Sequence, residues 1–175
     1  MPKIITDLEQ TLRKEARQMI LENGYEAFNM RAVAARCGVA VGTVYNYFSS
    51  KEVLAASVML DDWKSALVCM EAGAGNAPDA LCGLKHIFLG IVDFWQIYEG
   101  VWRGYAGAGR PVPMRSEYHK VLVGQICAII APMLERFGGI YTPVLPVFLA
   151  ENLLGAAAYG KDRFDEIEPV LRRLV

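Results

Sequence analysis

The chain has little with which to do covalent or metal chemistry. Its two histidines, His86 and His119, stand too far apart for any metal-ligand spacing. Cys37, Cys69, Cys82 and Cys127 form no Cys-x-x-Cys pair, so they are expected as small buried apolar residues in a reducing compartment, not as a zinc site or a disulfide. There is no Ser/His/Asp set and no glycine-rich phosphate loop after a strand, and therefore no enzyme and no cofactor is expected. Charge is scarce as well: 21% of the residues are charged against 54% hydrophobic, with a net charge of −1. That balance excludes a globally basic nucleic-acid binder, and residues 1 to 52 hold only seven Lys/Arg against six Asp/Glu. Phosphate contacts would have to come from a few placed cations, for which Lys3, Arg31 and Lys51 are the candidates. Asp7, Glu9, Arg13, Lys14, Glu15 and Arg17 argue against a signal peptide. The most apolar stretch, Ile140 to Tyr159, is broken by Pro143, Pro146, Glu151 and Asn152, which argues against a membrane span. A cytoplasmic chain with no membrane partner is expected.

What is present is helical, and no segment alternates as a strand would. Thr6 and Glu9 read as a capping box opening a first helix, whose face is Leu8, Leu12, Ala16 and Met19 and which ends at Asn23-Gly24. Ser49 and Glu52 read as a second box, opening a helix to about Glu71 with Leu54, Val58, Leu60, Trp63, Leu67 and Met70 on its face. Gly73 and Gly75 end it, and Asn76 and Pro78 restart the chain in a helix to about Tyr98. Four glycines and two prolines between Glu99 and Pro113 predict a loop there with at most a short helix. Helices at about Ser116 to Phe137, Pro143 to Tyr159 and Arg163 to Leu174 complete an all-α chain.

Residues 29 to 51 carry the most specific pattern. Asn29 caps a helix whose apolar face is Val33, Ala34 and Cys37, and Gly38 supplies a left-handed stop. A second helix from about Val41 to Tyr47 turns Val44 and Phe48 inward and leaves Thr43, Tyr45, Asn46 and Tyr47 outward. Gly42 permits a close approach of backbone to a duplex. In a helix-turn-helix the second helix lies in the major groove with its N-terminal residues on base edges. A small helical subdomain that merely packs on its neighbours is the plainer reading, but it gives no reason for that outward polar set.

With these residues on view, the chain resembles the TetR/AcrR family of bacterial transcriptional regulators from Thr6 to about Leu54. The resemblance rests on Gly24-Tyr25-Glu26-Ala27, Asn29-Met30-Arg31, the run from Gly38 to Phe48, and Lys51-Glu52-Val53-Leu54. Two positions depart: Ala40 stands where a serine or threonine cap is usual, a loss of about 1 kcal/mol, and Ala32 where an acid is common. The resemblance implies an N-terminal three-helix DNA-binding domain over residues 1–50 and a helical effector-binding and dimerisation domain over residues 51–175. It implies DNA contacts from Asn29, Arg31, Val41, Gly42, Thr43, Tyr45, Asn46, Tyr47 and Lys51.

Two features of the remainder fit that expectation. Gly124, Ala128 and Ala131 line up on one helix and Ala150, Leu154 and Ala157 on the next. Both helices are apolar on more than one face, which predicts burial on more than one side and a homodimer built as a four-helix bundle. An ordinary monomer core is the alternative. Aromatics crowd the middle, and Trp63, Phe88, Trp95, Tyr98, Trp102 and Tyr118 are candidates to line a pocket for an apolar or aromatic effector, unless they are simply core. His86, His119, Gln96, Gln125 and Asn152 are the candidate polar contacts. The expected function is a repressor released from palindromic operator DNA by such a molecule; a helical sensor or carrier without DNA binding is the alternative.

Overall fold

A computed structural model describes residues 7–107, 117–138 and 142–175, without the side chains of residues 102, 104–107, 117 and 118. The described residues form helices and no strand: α1 (Leu8–Ala27), α2 (Met30–Cys37), α3 (Val41–Tyr47), α4 (Lys51–Gly75), α5 (Ala80–Gly107), α6 (Glu117–Phe137), α7 (Leu145–Ala157) and α8 (Arg163–Leu171). They fall into two compact units. One comprises residues 1–62 and 97–108, the other residues 63–96 and 109–175. The unit that holds α1 to α3 thus extends beyond the expected limit at residue 50, taking in the first half of α4 and the end of α5.

In the first unit, Leu12, Ala16, Met19 and Ile20 of α1, Met30, Val33 and Ala34 of α2, and Val44 and Phe48 of the α3 region are buried together with Leu54, Ala55 and Val58 of α4. Helix starts differ from the expected ones. Thr6 lies outside the described residues, and Asp7 caps α1 by accepting from the Gln10 N–H at 3.2 Å. At α4 it is Ser50 and not Ser49 whose hydroxyl accepts, from Val53 N–H at 3.3 Å. Asn29 caps α2 through Ala32 N–H at 2.9 Å as expected. Gly38 ends α2 at φ 68°, with Val39 N–H bonded back to Ala34 C=O at 3.0 Å, the geometry glycine allows at no steric cost. α3 has no side-chain cap at Ala40, so it depends on Val44 and Phe48 as anchors.

The second unit is a helical core of Trp63, Met70, Leu84, Ile87, Phe88, Ile91, Ile126, Ile130, Met133, Leu149, Leu153 and Phe164, among others. Residues 80–101 of α5 are long and apolar enough to cross a membrane, yet Leu84, Ile87, Phe88 and Ile91 are fully buried against neighbouring helices, as in the core helix of a globular fold. Helix α5 also starts and ends elsewhere than expected. Asp79 caps it through Cys82 N–H at 2.7 Å, and it continues through the glycines of the predicted loop to Gly107. Tyr98 and Val101, one turn apart, are both fully buried, and that packing outweighs a glycine cost of about 1 kcal/mol per residue. The expected α4 face includes one misplaced residue: Leu60 is exposed. Arg136 of α6 donates to the carbonyls of Ala77, at 2.6 Å, and Gly75, satisfying acceptors around the end of α4.

Candidate nucleic-acid interface

The candidate surface is a seven-residue helix held by two anchors. Val44 is fully buried and Phe48 nearly so, which fixes the rotation of α3 about its axis. Tyr45 and Tyr47 then stand 51% and 47% exposed, with Asn46 and Gly42 exposed and Thr43 half-buried beside them. Two half-exposed tyrosines on so short a helix bury no core. Arg31, in the first turn of α2, is exposed and makes no ion pair among the described residues. Asn29 has its amide committed, accepting from Ala32 N–H and donating to Ala27 C=O at 3.2 Å, so its role is to hold the start of α2 in place.

The supports of this surface lie partly beyond what spacing in the sequence could reveal. Arg36 of α2 reaches Glu22 of α1 at 2.6 Å and Glu15 at 3.9 Å, and the guanidinium bonded to Glu22 holds that carboxyl below the usual carboxylate range. Arg17 Nε donates to Asp62 Oδ1 at 2.6 Å, and the Tyr98 hydroxyl donates to Asp62 Oδ2 at 2.7 Å, so α1, α4 and the end of α5 meet on one carboxylate. Burial first, and then the bond to Asp62, push the Tyr98 phenol far above the ordinary tyrosine range. Lys51 lies with its ammonium 4.2 Å from the centroid of the Tyr25 ring. No periodicity links Arg17 to Asp62, or Tyr25 to Lys51.

The expected effector residues do not form one group. Trp63, Phe88 and Trp95 belong to the second unit. Tyr98 belongs to the first, where it is fully buried and its hydroxyl donates to Asp62. The Trp102 and Tyr118 side chains lie outside the described residues. Trp63 packs edge-on to Phe94 with ring centroids 4.9 Å apart and donates its indole N–H to Gln125 at 2.8 Å. Phe88 lies on Phe164 at 5.3 Å. Of the other candidate polar contacts, His119 bonds Glu151 at 2.7 Å, His86 the Cys82 carbonyl at 2.8 Å and Asn152 the Phe148 carbonyl at 2.7 Å, while Gln96 is exposed. Two surface cavities, of about 530 and 590 Å³, are lined by groups such as Arg13, Lys14, Arg17 and Asp61 in one and Lys85, Phe164, Glu168 and Arg172 in the other; the candidate aromatics line neither.

The expected dimer stripe splits in two. Gly124 and Ala128 are exposed and Ala131 half-buried, but Ala150, Leu154 and Ala157 are buried in the core of their own unit. The small residues of the α7 half permit close approach of helices within the chain. The exposed apolar residues of that helix are Val147 and Phe148, with Val121 on α6.

Comparison with known proteins points the same way. Residues 12–58 match the family model of bacterial regulatory proteins of the tetR family. The chain is 44% identical over 66 residues to the HTH-type transcriptional repressor KstR of Rhodococcus jostii, covering 33% of this chain and 31% of that protein. It is 38% identical over 52 residues to the HTH-type transcriptional regulator UidR of Escherichia coli K12, covering 30% and 26%. The matched segment thus spans about a third or less of these relatives. A TetR-family transcriptional regulator from Pectobacterium atrosepticum shares the fold with a TM-score of 0.69 at 20% identity, over 98% of this chain and 96% of that one. Residues 12–58 are thus similar to the N-terminal helix-turn-helix of the tetR regulatory proteins, and they are set in an all-helical fold shared with solved structures of that kind.

Proposed function

We propose that the chain is a cytoplasmic, homodimeric, sequence-specific DNA-binding repressor, released from a palindromic operator by an apolar or aromatic small molecule. The outward set on α3 carries this reading: Tyr45, Asn46 and Tyr47 are exposed while Val44 and Phe48 fix the helix from behind. Thr43, Tyr45, Tyr47 and Lys51 are suited to phosphate oxygens. Arg31, Val41, Gly42 and Asn46 sit where base edges would be read. Two copies joined by a two-fold axis would present two such helices to successive major grooves, which is why the operator is expected to be palindromic. Val121, Gly124 and Ala128 on α6, with Val147 and Phe148 on α7, are the exposed residues offered to the second copy.

The effector would enter the second unit. Trp63, Phe88 and Phe94 pack against one another or their neighbours, and Met70 and Met133 fill the space over Gly90 and Gly83, where an added Cβ would lie 2.4 and 2.2 Å from methionine side-chain atoms. Methionine is flexible enough to yield that space. An effector that buries apolar area there at about 25 cal/mol per Å² would shift the population of states, provided the DNA-bound state accommodates it less well. Both α4 and α5 are continuous through the two units and would carry the change. Selection of binding duplexes from a randomised library tests the reading, followed by a screen for compounds that release the selected duplex. Failure to enrich any palindrome would leave a sensor or carrier without DNA binding.

A further inference from the structure

We propose that Tyr25 is the positioning residue for Lys51, holding its ammonium ready for a DNA phosphate. This rests on the DNA-binding reading above. Helix α1 breaks at Gly24, at φ 75° and ψ 165°, and an added Cβ there would meet nothing within 4 Å. Glycine is needed for its conformation, and what that conformation does is set Tyr25 off the line of the helix. Tyr25 is 8% exposed, supported by Phe28 at a centroid distance of 6.2 Å. The Lys51 ammonium lies 4.2 Å from the Tyr25 centroid and 5.7 Å from that of Phe28. It makes no ion pair among the described residues.

Lys51 is also in an unfavourable place for a cation. It opens α4, at the positive end of the helix dipole. A lysine there would ordinarily swing into water on its four-carbon stem. The attraction of the ammonium to the ring face opposes that and restricts the stem to few rotamers. The ring engages one side of the ammonium and leaves N–H donors for an anion. Since α4 begins three residues after Phe48, the last anchor of α3, the cation is fixed relative to the reading helix. Ordering the side chain before DNA arrives removes part of the entropy cost of binding. Gly100 of α5 backs Tyr25, its would-be Cβ 3.6 Å from the Tyr25 Cβ, so the end of α5 helps hold the ring.

The test uses the full chain, a fluorescein-labelled duplex selected by the wild type, and a scrambled duplex of the same composition, with affinity measured at several salt concentrations. Lys51→Met should weaken binding to both duplexes and make the slope of log K against log salt shallower by about 1, the change that follows when one phosphate is no longer neutralised. Tyr25→Leu should cost about three- to tenfold, equally on both duplexes, while Tyr25→Phe, which keeps the ring face, should stay within about twofold. In the Lys51→Met background Tyr25→Leu should cost nothing more. The same loss in both backgrounds would mean that Tyr25 acts through folding, and the proposal would be overturned. Should Tyr25→Leu fail to fold, the NMR signal of the Lys51 ε-methylene, assigned by its loss in Lys51→Met, decides: an upfield ring-current shift supports the placement, and an ordinary lysine position overturns it. A wild type that selects no duplex overturns the DNA-binding reading and this proposal with it; a wild type that does, with Tyr25 uncoupled from Lys51, overturns this proposal alone.

Discussion

Replacing Tyr98 by phenylalanine should destabilise the chain where Asp62 is present and cost little where Asp62 has been removed. The Tyr98 ring is fully buried, so the substitution keeps the packing and removes a single hydroxyl, the one that donates to Asp62 at 2.7 Å. A hydrogen bond to a charged group contributes about 1.5–3 kcal/mol. The Asp62 side chain keeps 14% of its surface in solvent and retains Arg17 as a partner, so the low end applies: about 1.5 kcal/mol, or roughly 3–6 °C in Tm for a chain of this size. Asp62→Ala should cost more, about 3 kcal/mol, because it removes the carboxylate that both Arg17 and the Tyr98 hydroxyl donate to. In that background Tyr98→Phe no longer breaks the bond to Asp62 and should cost well under the about 1.5 kcal/mol lost in the wild type. The assay is urea unfolding followed by circular dichroism, at one fixed protein concentration, because the stability of any chain that associates depends on concentration. Equal losses from Tyr98→Phe in the two backgrounds would refute the reasoning, since the hydroxyl would then owe nothing to Asp62.

The same phenol gives a pH prediction. Its folded-state pKa is raised, so its contribution is fully present below the unfolded tyrosine value of about 10 and is lost as pH climbs past it; stability should fall above about pH 10, less steeply in Tyr98→Phe. At the DNA surface, Tyr45→Phe should weaken binding about equally on all sequences, whereas Arg31→Ala should relax one position of each half-site by roughly 1–3 kcal/mol; unchanged affinities at fixed salt would remove both residues from the interface. In assembly, Ala128→Glu on the exposed side of α6 should leave helix content intact while light scattering falls from twice the 19.3 kDa chain mass to that of one chain. Ala157→Arg, at a position 3% exposed, should instead unfold the protein, because an unpaired buried charge costs several kcal/mol.

The parts that the sequence made legible are those governed by local rules. Asn29, Gly38, Val44 and Phe48 act through bonds and packing within a few residues of themselves, and each takes its expected role. Boundaries that depend on distant packing were not legible. The glycines after Glu99 read as a loop because glycine disfavours helix, yet Tyr98 and Val101 are buried on one face and the helix runs on to Gly107. Nothing local distinguishes a glycine tolerated by packing from one that ends a helix. At α4 the two adjacent serines, Ser49 and Ser50, are equivalent as cap candidates by composition, and the turn leaving Phe48 decides for the second.

Periodicity tells that residues share a helix face but not what the face meets. Ala150, Leu154 and Ala157 do share one, and small residues there do serve close helix approach. The neighbouring helices belong to the same chain, and Val147 and Phe148 stand exposed on another face. The same limit explains Tyr98. As one aromatic among many it reads as pocket lining, and only the position of Asp62, 36 residues away, turns it into a donor on a shared carboxylate. Its effect on function therefore runs through geometry. Asp62 ties α1, which carries the Arg36 partners Glu15 and Glu22, to the end of α5, which backs Tyr25 and through it Lys51. A displacement of residues 97–107 by a turn's fraction would thus reach both supports of the reading surface without touching α3 itself, so substitutions at the end of α5 should alter DNA affinity while leaving base preference unchanged, and a shift in preferred sequence from such a substitution would break this chain of reasoning.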